Sequence, residues 1–572
     1  MTGAELIIHA FKQEGVQAIF GYPGGAVIDI FDCLYNSDIP FYLTRHEQGA
    51  IHAADGYARS SGKAGICLAT SGPGATNLAT GLATAHMDSI PIVAITGQVA
   101  THLIGNDAFQ EADVCGVTRS ITKHNYLVKN IEDLAKILKS AFYIAQTGRP
   151  GPVLVDIPKD IQQAKTRSTY PDSVEIRSYK PTIKGNKRQI KKAASLIEQS
   201  KQPVIFAGGG VVSSGANQEL ETLAKKIQAP VTTTLMGLGT FPETSDQALK
   251  MLGMHGTAYA NYAMQQADLI IAVGVRFDDR VTGKVEQFAP NAQIVHIDID
   301  PTTIRKNVQV AVPVVGDVKY VLREINKLLS EQKHKTWMKQ ILQWKNDHPL
   351  SYANIGKIQP QYVIEQIAEL TDHNAIVATE VGQNQMWTAQ YYNFKKPRAF
   401  LTSGGLGTMG YGFPAAIGAQ VANPDRMVID IAGDGSIQMN IQELATAVIY
   451  NLPVKIIILN NGALGMVRQW QAIFYKRRFS SICLRRNPNC PPNCKQTEDD
   501  CPTYVPDFVA LAQAYGAAGF RITEPDEVQS TLKKALETPG PVVVDVIIDK
   551  EENVYPMVPS GAPIDEMIRG MA

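Results

Sequence analysis

The amino-acid sequence predicts an α/β protein of three doubly wound parallel-sheet domains. Three observations predict it. Short apolar runs ending in glycine-rich or polar turns alternate with helically spaced apolar residues along the whole chain. Two polar stretches, 166–186 with two prolines and 331–345 rich in Lys and Gln, divide that alternation into blocks 1–165, 187–335 and 350–572. One stretch, 427–461, is a complete strand–helix–strand unit.

In that unit, 427–432 reads as a buried strand and Gly433-Asp434-Gly435 as a turn. Ile437, Ile441, Leu444, Ala445 and Val448 recur at helical spacing, Pro453 closes the helix, and 454–459 is a second strand ending at Asn460-Asn461. A right-handed crossover makes the strands parallel. Asp434 and Asn461 then share the carboxyl edge of one sheet, where open α/β folds bind ligands. A carboxylate and an amide oxygen suit a hard cation such as Mg²⁺, and the glycines admit phosphate oxygens near a helix N-terminus. A bare Gly-Asp-Gly is most often only a turn. With the second Asn of a strand-terminal pair 27 residues on, it resembles the thiamine-diphosphate motif.

At 572 residues the chain exceeds a single core. A composition of 45% hydrophobic and 19% charged residues is that of a soluble globular protein. Lys plus Arg and Asp plus Glu balance at 54 each, which argues against nucleic acid as a partner. No apolar run reaches the ~18 residues of a membrane span. The N-terminal residues carry no basic cluster ahead of their apolar run, so they read as the first helix, with a capping box at Thr2 and Glu5. Few, scattered cysteines (Cys33, Cys67, Cys115) fit a reducing cytoplasm.

In the first block, strands are expected at 16–20, 41–43, 64–69, 92–96 and 153–157. They run into a glycine turn at 21–25, the 44–50 segment, the 70–77 loop and Pro158-Lys159-Asp160. Glu47 falls where strand meets helix; read alone, that is a charge at a helix N-terminus. Lys159 alone reads as a solvated lysine. In the middle block, strands at 204–207, 230–233, 269–273 and 294–297 are followed by Gly208-Gly209-Gly210, by 274–280 and by Asp298. Glycines after one strand and an acid ending a later one suit a dinucleotide, although the strict Gly-x-Gly-x-x-Gly pattern is absent. The three blocks show no repeat at a fixed period.

With these residues in hand, the chain resembles the acetolactate synthase (acetohydroxyacid synthase) catalytic large subunits, thiamine-diphosphate-dependent enzymes. The resemblance covers nearly the whole length. It rests on FGYPGGA at 20–26, RHEQGAIHAADGYAR at 45–59, SGPGATN at 71–77, FQEADV at 109–114 and GRPGPVLVDIPKD at 148–160. It continues through GVRFDDRVTG at 274–283, LTSGGLGTMGYGFPAAIGA at 401–419, the Gly-Asp-Gly unit, GMVRQWQ at 465–471 and ENVYPMVPSGAPIDEMI at 552–568.

The resemblance implies a thiamine-diphosphate-binding fold with a central FAD-binding domain. It implies that a transferase decarboxylates pyruvate and joins the two-carbon unit to a second pyruvate or to 2-ketobutanoate, in branched-chain amino-acid biosynthesis. Glu47 would contact the aminopyrimidine of thiamine diphosphate, and a carboxylate shielded from water suits sharing a proton with a ring nitrogen. Gly25, Gln110 and Lys159 would serve the substrate pocket and its mouth. Val381, Gln383, Asn384, Gly407, Met409, Gly433, Asp434, Gly435, Ser436, Asn461, Gly465 and Met466 would hold the cofactor, with Met409 beneath its folded rings. Mg²⁺ would sit on Asp434, Asn461 and the carbonyl of Ala463. Trp470, helped by Met466 and Val467, would choose the second substrate. Arg149, Gly208, Gly210, Thr234, Leu235, Gly253, Met254, His255, Gly274, Arg276, Asp278, Arg280, Asp298 and Asp317 match an FAD site that serves structure. The tail 554–568 would fold over the site as a lid. The family also implies a homodimer or tetramer with active sites shared between subunits, and leaves room for a small regulatory subunit.

The chain departs from the family at 477–507, a long connection carrying Cys483, Cys490, Cys494 and Cys501. Four cysteines in nineteen residues could bind Zn²⁺. They lack the usual Cys-x₂-Cys pairs, and free thiols in a loop are the plainer reading. Pyruvate oxidase and glyoxylate carboligase share the scaffold and stand as alternatives. Arg276–Arg280, Trp470 and the tail favour acetolactate synthase over both. A catalytically silent scaffold would have lost Glu47, Asp434 or Asn461, and all three are present.

Overall fold

A computed structural model describes residues 1–353, 356–490 and 501–570. It contains three sheets of six strands, all parallel. The first holds β1 (Ile19–Gly21), β2 (Phe41–Leu43), β3 (Gly65–Ala69), β4 (Ile92–Gln98), β5 (His124–Leu127) and β6 (Pro152–Pro158), in the order β2-β1-β3-β4-β6-β5. The second holds β7 (Pro203–Ala207), β8 (Val231–Thr233), β9 (Ala248–Met251), β10 (Leu269–Val273), β11 (Gln293–Asp298) and β12 (Val312–Val315), in the order β12-β11-β10-β7-β8-β9. The third holds β13 (Ile376–Thr379), β14 (Phe400–Leu401), β15 (Val428–Gly433), β16 (Lys455–Asn460), β17 (Ala518–Ile522) and β18 (Val542–Ile547), in the order β14-β13-β15-β16-β18-β17.

The first and third sheets therefore have one topology, strand for strand, although no sequence repeat betrays it. Each sheet is buried on both faces, which explains why its central strands are continuous apolar runs and not alternating ones. Each has a switch point where the connections leave in opposite directions: between β1 and β3, between β7 and β10, and between β13 and β15. Ligands of open α/β sheets bind at such switch points.

The equivalent helices Glu47–Ser61 and Gly412–Ala422, one from each outer domain, pack along each other. Gly56 faces the backbone of Ala415, and Gly418 faces that of Ala53, so a β-carbon at either position would drive the helices apart. Because Gly56 and Gly418 have no side chain, the two backbones come into contact and the two outer domains form one body.

Several sequence expectations need correction. The first strand starts at Ile19, not at Val16, because Gly15 at φ +67° and the loop behind it end the first helix. The strands β5, β9, β12, β13, β14, β17 and β18, all at a sheet edge or one place in from it, are not among the expected ones. The stretch 331–345, expected as a partly helical linker, is helical from Lys335 to Asp347 but packs on the middle domain, burying Trp337 and Ile341, and Trp337 Nε1 donates to the carbonyl of Pro203. The helix expected over 437–448 starts only at Leu444. Two 3₁₀ turns precede it, because Asn440 leaves the helical region (φ −137°) to donate its side-chain amide to the carbonyl of Gly410. The capping box at Thr2 and Glu5 is present. Among the described residues, no helix is long and apolar enough to cross a membrane.

Candidate active site

Most of the candidate residues for thiamine diphosphate and substrate stand just past carboxyl ends of parallel strands, in two groups; Trp470 lies within the helix Gly465–Phe474, and Arg149 precedes β6. The first group belongs to the first sheet. Glu47 is the opening residue of its helix and is buried; His46, the cap before it, accepts from the Gln48 amide through Nδ1. Asn77 Nδ2 donates to Glu47 Oε2 at 3.0 Å. Gly74 lies beside Oε1, where a β-carbon would come within 3.2 Å. Gly72, two residues earlier, packs on the backbone of Gln110, which itself takes a left-handed φ of +58°. Lys159 Nζ donates to the carbonyl of Gly25 at 3.1 Å. Thus the turns after β1, β2, β3, β4 and β6 converge and bring Gly25, Glu47, Gln110 and Lys159 to one edge.

The second group belongs to the third sheet. Asp434 follows β15 and is buried, its Oδ2 without a hydrogen-bond partner among the described residues. Burial pushes its carboxyl up to about 7. Asn461 follows β16; its Oδ1 accepts from the Ala463 amide at 3.1 Å and its Nδ2 donates to Gln383 Oε1 at 3.2 Å. Asn384 Nδ2 donates to the carbonyls of Glu380 and Ile431, holding the end of β13 against that of β15. Asn384 Oδ1 faces Gly433 across the switch point. An orphaned carboxylate oxygen and an amide oxygen with a free lone pair are the donor set of a hard cation, and they fit Mg²⁺.

Between these groups and the middle domain runs a cavity of about 890 Å³. Its walls include Arg149, Gly210, Thr234, Leu235, Met254, His255, Gly274, Arg276, Asp278, Arg280, Asp298 and Asp317. They also include Val381, Gly407, Met409, Gly465, Met466, Val467 and Trp470 of the third domain. Gly208 and Gly253 lie just behind the wall, against Gly274 and the carbonyl of Arg280. Gly25, Glu47, Gln110 and Lys159 do not line it; nor do Asp434 and Asn461. The volume suits a cofactor-sized ligand. Gly210 packs on Gly274, so the turn after β7 approaches that after β10 at the middle sheet's switch point. Burial pushes Asp298 up to about 6 and lowers His255 to about 4. Trp470 rests on Phe474, 6.0 Å between ring centroids, and its indole nitrogen is buried without a partner among the described residues.

Three site residues went unnoticed in the sequence. Asn77 stood only as the last residue of the 70–77 loop and of the SGPGATN motif. Glu380, wholly buried at the end of β13, accepts from the Gly410 and Phe413 amides and from the Ser436 hydroxyl, tying the Met409 loop to the Asp434 turn. Asp88 accepts from the Gly404 and Gly405 amides and pairs with Arg59 at 2.9 Å. An acid directly ending a strand is a signal that could have found Glu380.

The tail is not a lid over this cavity. It packs as a strap: Val554 exchanges hydrogen bonds with Gln469, the Val558 amide donates to Met254, and Met557 pairs with Ile568. None of its residues lines the wall. Of the four clustered cysteines, Cys494 lies outside the described residues. Cys483 pairs through its backbone with Ala463, and Cys490 contacts Asn487. Among the described residues no group of three His, Cys, Asp or Glu is placed to hold a metal.

Known families match this architecture block by block. The N-terminal TPP binding domain of thiamine pyrophosphate enzymes matches residues 1–117, their central domain 190–325 and their C-terminal TPP binding domain 380–546. The fold is thus that of a thiamine pyrophosphate enzyme. The chain is 49% identical to the acetolactate synthase large subunit of Haemophilus influenzae over 99% of its own length and 98% of the relative's. It is 49% identical to the isozyme 3 large subunit of Escherichia coli, with the same two coverages. It is 50% identical to the probable large subunit of Methanocaldococcus jannaschii, over 100% of this chain and 95% of that one. This chain belongs to the acetolactate synthase large-subunit family.

Proposed function

We propose that the chain is the catalytic subunit of an acetolactate synthase. It decarboxylates pyruvate and joins the remaining two-carbon unit to a second pyruvate, giving 2-acetolactate, or to 2-ketobutanoate, giving 2-aceto-2-hydroxybutanoate. The observation that carries this reading is buried Asp434 and half-buried Asn461 at the carboxyl ends of the neighbouring strands β15 and β16, in a chain about half identical to these enzymes from end to end.

Thiamine diphosphate, when bound, supplies the electron sink for the charge left by carbon dioxide. Asp434, Asn461 and the carbonyl of Ala463 hold Mg²⁺, while Gly433, Gly435 and Ser436 present the turn to the diphosphate. Val381, Gln383, Asn384, Gly407, Gly465 and Met466 complete that cradle, and Met409 supports the cofactor rings. Glu47, its carboxylate oriented by Asn77, would hold or release a proton toward the aminopyrimidine of bound thiamine diphosphate. Gly25, Gln110 and Lys159 shape the substrate entrance. Trp470 closes the second-substrate pocket with Met466 and Val467, where one methylene is worth only ~1–3 kcal/mol of discrimination.

The cavity, lined by residues of all three domains, takes FAD, with a structural role. Membership in a family whose resemblance implies active sites shared between subunits supports an active site completed by the first domain of a second copy, in a dimer or tetramer. Membership among the large subunits supports a small regulatory subunit as a partner. The direct test incubates purified protein with pyruvate, thiamine diphosphate and Mg²⁺ and no electron acceptor. Acetolactate should accumulate; turnover only with an acceptor would point to an oxidase instead.

A further inference from the structure

The strand that delivers Glu47 is held from outside its own domain. β2 is the edge strand of the first sheet, bonded to β1 on one side only. On its other side lie Glu443, Thr446 and Tyr450, spaced along one face of the segment that follows Asp434. Tyr450 Oη accepts from the Leu43 amide at 2.9 Å and donates to the carbonyl of Phe41 at 3.2 Å. Thr446 Oγ1 lies 3.3 Å from the carbonyl of Leu43 and donates to Glu443 Oε2 at 2.7 Å. Glu443 Oε1 accepts from the Arg45 and His46 amides at 3.0 and 3.1 Å, and Oε2 accepts from Arg45 at 3.1 Å. Three side chains thus do for β2 and its exit what a neighbouring strand would do, ending one residue before Glu47.

The fit is made to the carboxylate. Glu443 is wholly buried, and a β-carbon at Gly49 would press onto its Oε1. A buried carboxylate at a domain contact is costly unless its oxygens are used, and here each oxygen accepts from at least two donors. Its acceptors fix the backbone on which Glu47 stands, two bonds from the Glu47 amide plane. Its own chain position fixes the Asp434 loop, nine residues upstream.

We propose that Glu443 is a positioning residue for Glu47, the anchor of a Glu443–Thr446–Tyr450 clasp through which the cation-holding domain sets the acid that activates the cofactor. The inference rests on the role given to Glu47 above. Glu443 touches neither substrate nor cofactor; it acts through the 45–47 backbone, where a displacement of about 1 Å can cost ~100-fold in rate.

The test uses full-length protein and three readouts. These are hydrogen–deuterium exchange at the thiazolium carbon of bound thiamine diphosphate, cofactor affinity from fluorescence quenching, and amide exchange of peptide 41–49 in cofactor-free protein. Glu443→Ala should slow thiazolium exchange by roughly 10- to 100-fold and speed amide exchange in 41–49, with affinity within about threefold. Glu443→Gln keeps an Oε1 that can accept both amides and should restore the exchange to within about threefold of the parent. Gly49→Ala pushes on the same oxygen from the opposite side and should slow thiazolium exchange although alanine favours the helix. If Glu443→Ala does not fold, Gly49→Ala decides. Parent-like thiazolium exchange in the folded variant that decides, or equal losses of exchange, affinity and melting temperature, overturns the proposal. Glu47→Gln runs alongside: if it exchanges normally, the role of Glu47 itself fails; if it is slow while Glu443→Ala is normal, only the clasp fails.

Discussion

Asn77 Nδ2 donates to Glu47 Oε2 at 3.0 Å, which turns Oε1 toward Gly74. The loop after β3 therefore aims the acid that follows β2, and the two must act together. Glu47→Gln should lower the rate by at least ~100-fold, the usual worth of a placed proton-transfer group. Asn77→Leu leaves the carboxylate but frees its rotamer, and should lower kcat about tenfold with little change in cofactor affinity. Steady-state kinetics with a cofactor titration check both.

Asp434 and Asn461 make a different prediction, about binding. Asp434→Ala should raise the Mg²⁺ needed for half-saturation by more than the ~10- to 100-fold typical of residues one shell further out. Asn461→Ala should do the same less severely, because the Ala463 carbonyl remains. Isothermal titration of Mg²⁺ in the presence of thiamine diphosphate measures it; an unchanged requirement would place the cation elsewhere.

Trp470 should govern product choice. Trp470→Leu enlarges the wall beside Met466 and Val467, and should cut the preference for 2-ketobutanoate over pyruvate by ~10-fold or more, with acetolactate formation retained. Competition between the two keto acids, read as a product ratio, checks it.

His52 gives a pH dependence. It is buried against Tyr411, 5.4 Å between ring centroids, and burial, aided by Arg59, lowers its pKa from 6.5 to about 3. Between those values the unfolded chain binds the extra proton and the folded chain does not. Its neutral form is therefore compatible with folding above pH 6.5, and stability falls as pH drops toward about 3, by up to ~1.4 kcal/mol per unit. His52→Gln should flatten this acid limb in melting temperature measured against pH; an unchanged limb would assign it to other groups.

The flavin site is checked by colour. Gly210→Leu would force a side chain into the backbone of Gly274 and should yield protein without bound flavin absorbance, while thiamine diphosphate still binds in the third domain. Loss of both cofactors together would show a folding defect instead.

Much of this was legible from residue order alone. β10, a continuous apolar run, is legible from Leu269 to Val273 because burial on both faces leaves no polar residue to blur it. The Gly-Asp-Gly and Asn-Asn ends were legible because strand ends carry chemistry in a fixed place. The short strands β5, β9 and β14 were not, since two to four residues give no period to count. The helix after Asp434 was over-extended because Asn440 breaks it through a tertiary bond to Gly410, invisible in the local pattern. Glu443 was hidden for the same reason: its partners lie nearly 400 residues away.

On the function proposed above, the acid group around Glu47 and the cation group around Asp434 of one working site come from different subunits. Glu47→Gln and Asp434→Ala proteins, each inactive alone, are to be mixed, dissociated and reassembled, and acetolactate formation from pyruvate followed without an electron acceptor. The account predicts that activity returns, toward roughly a quarter of the parent's if dimers re-form at random, because half the dimers carry one intact site. A mixture as silent as its components, with reassembly confirmed, would contradict it.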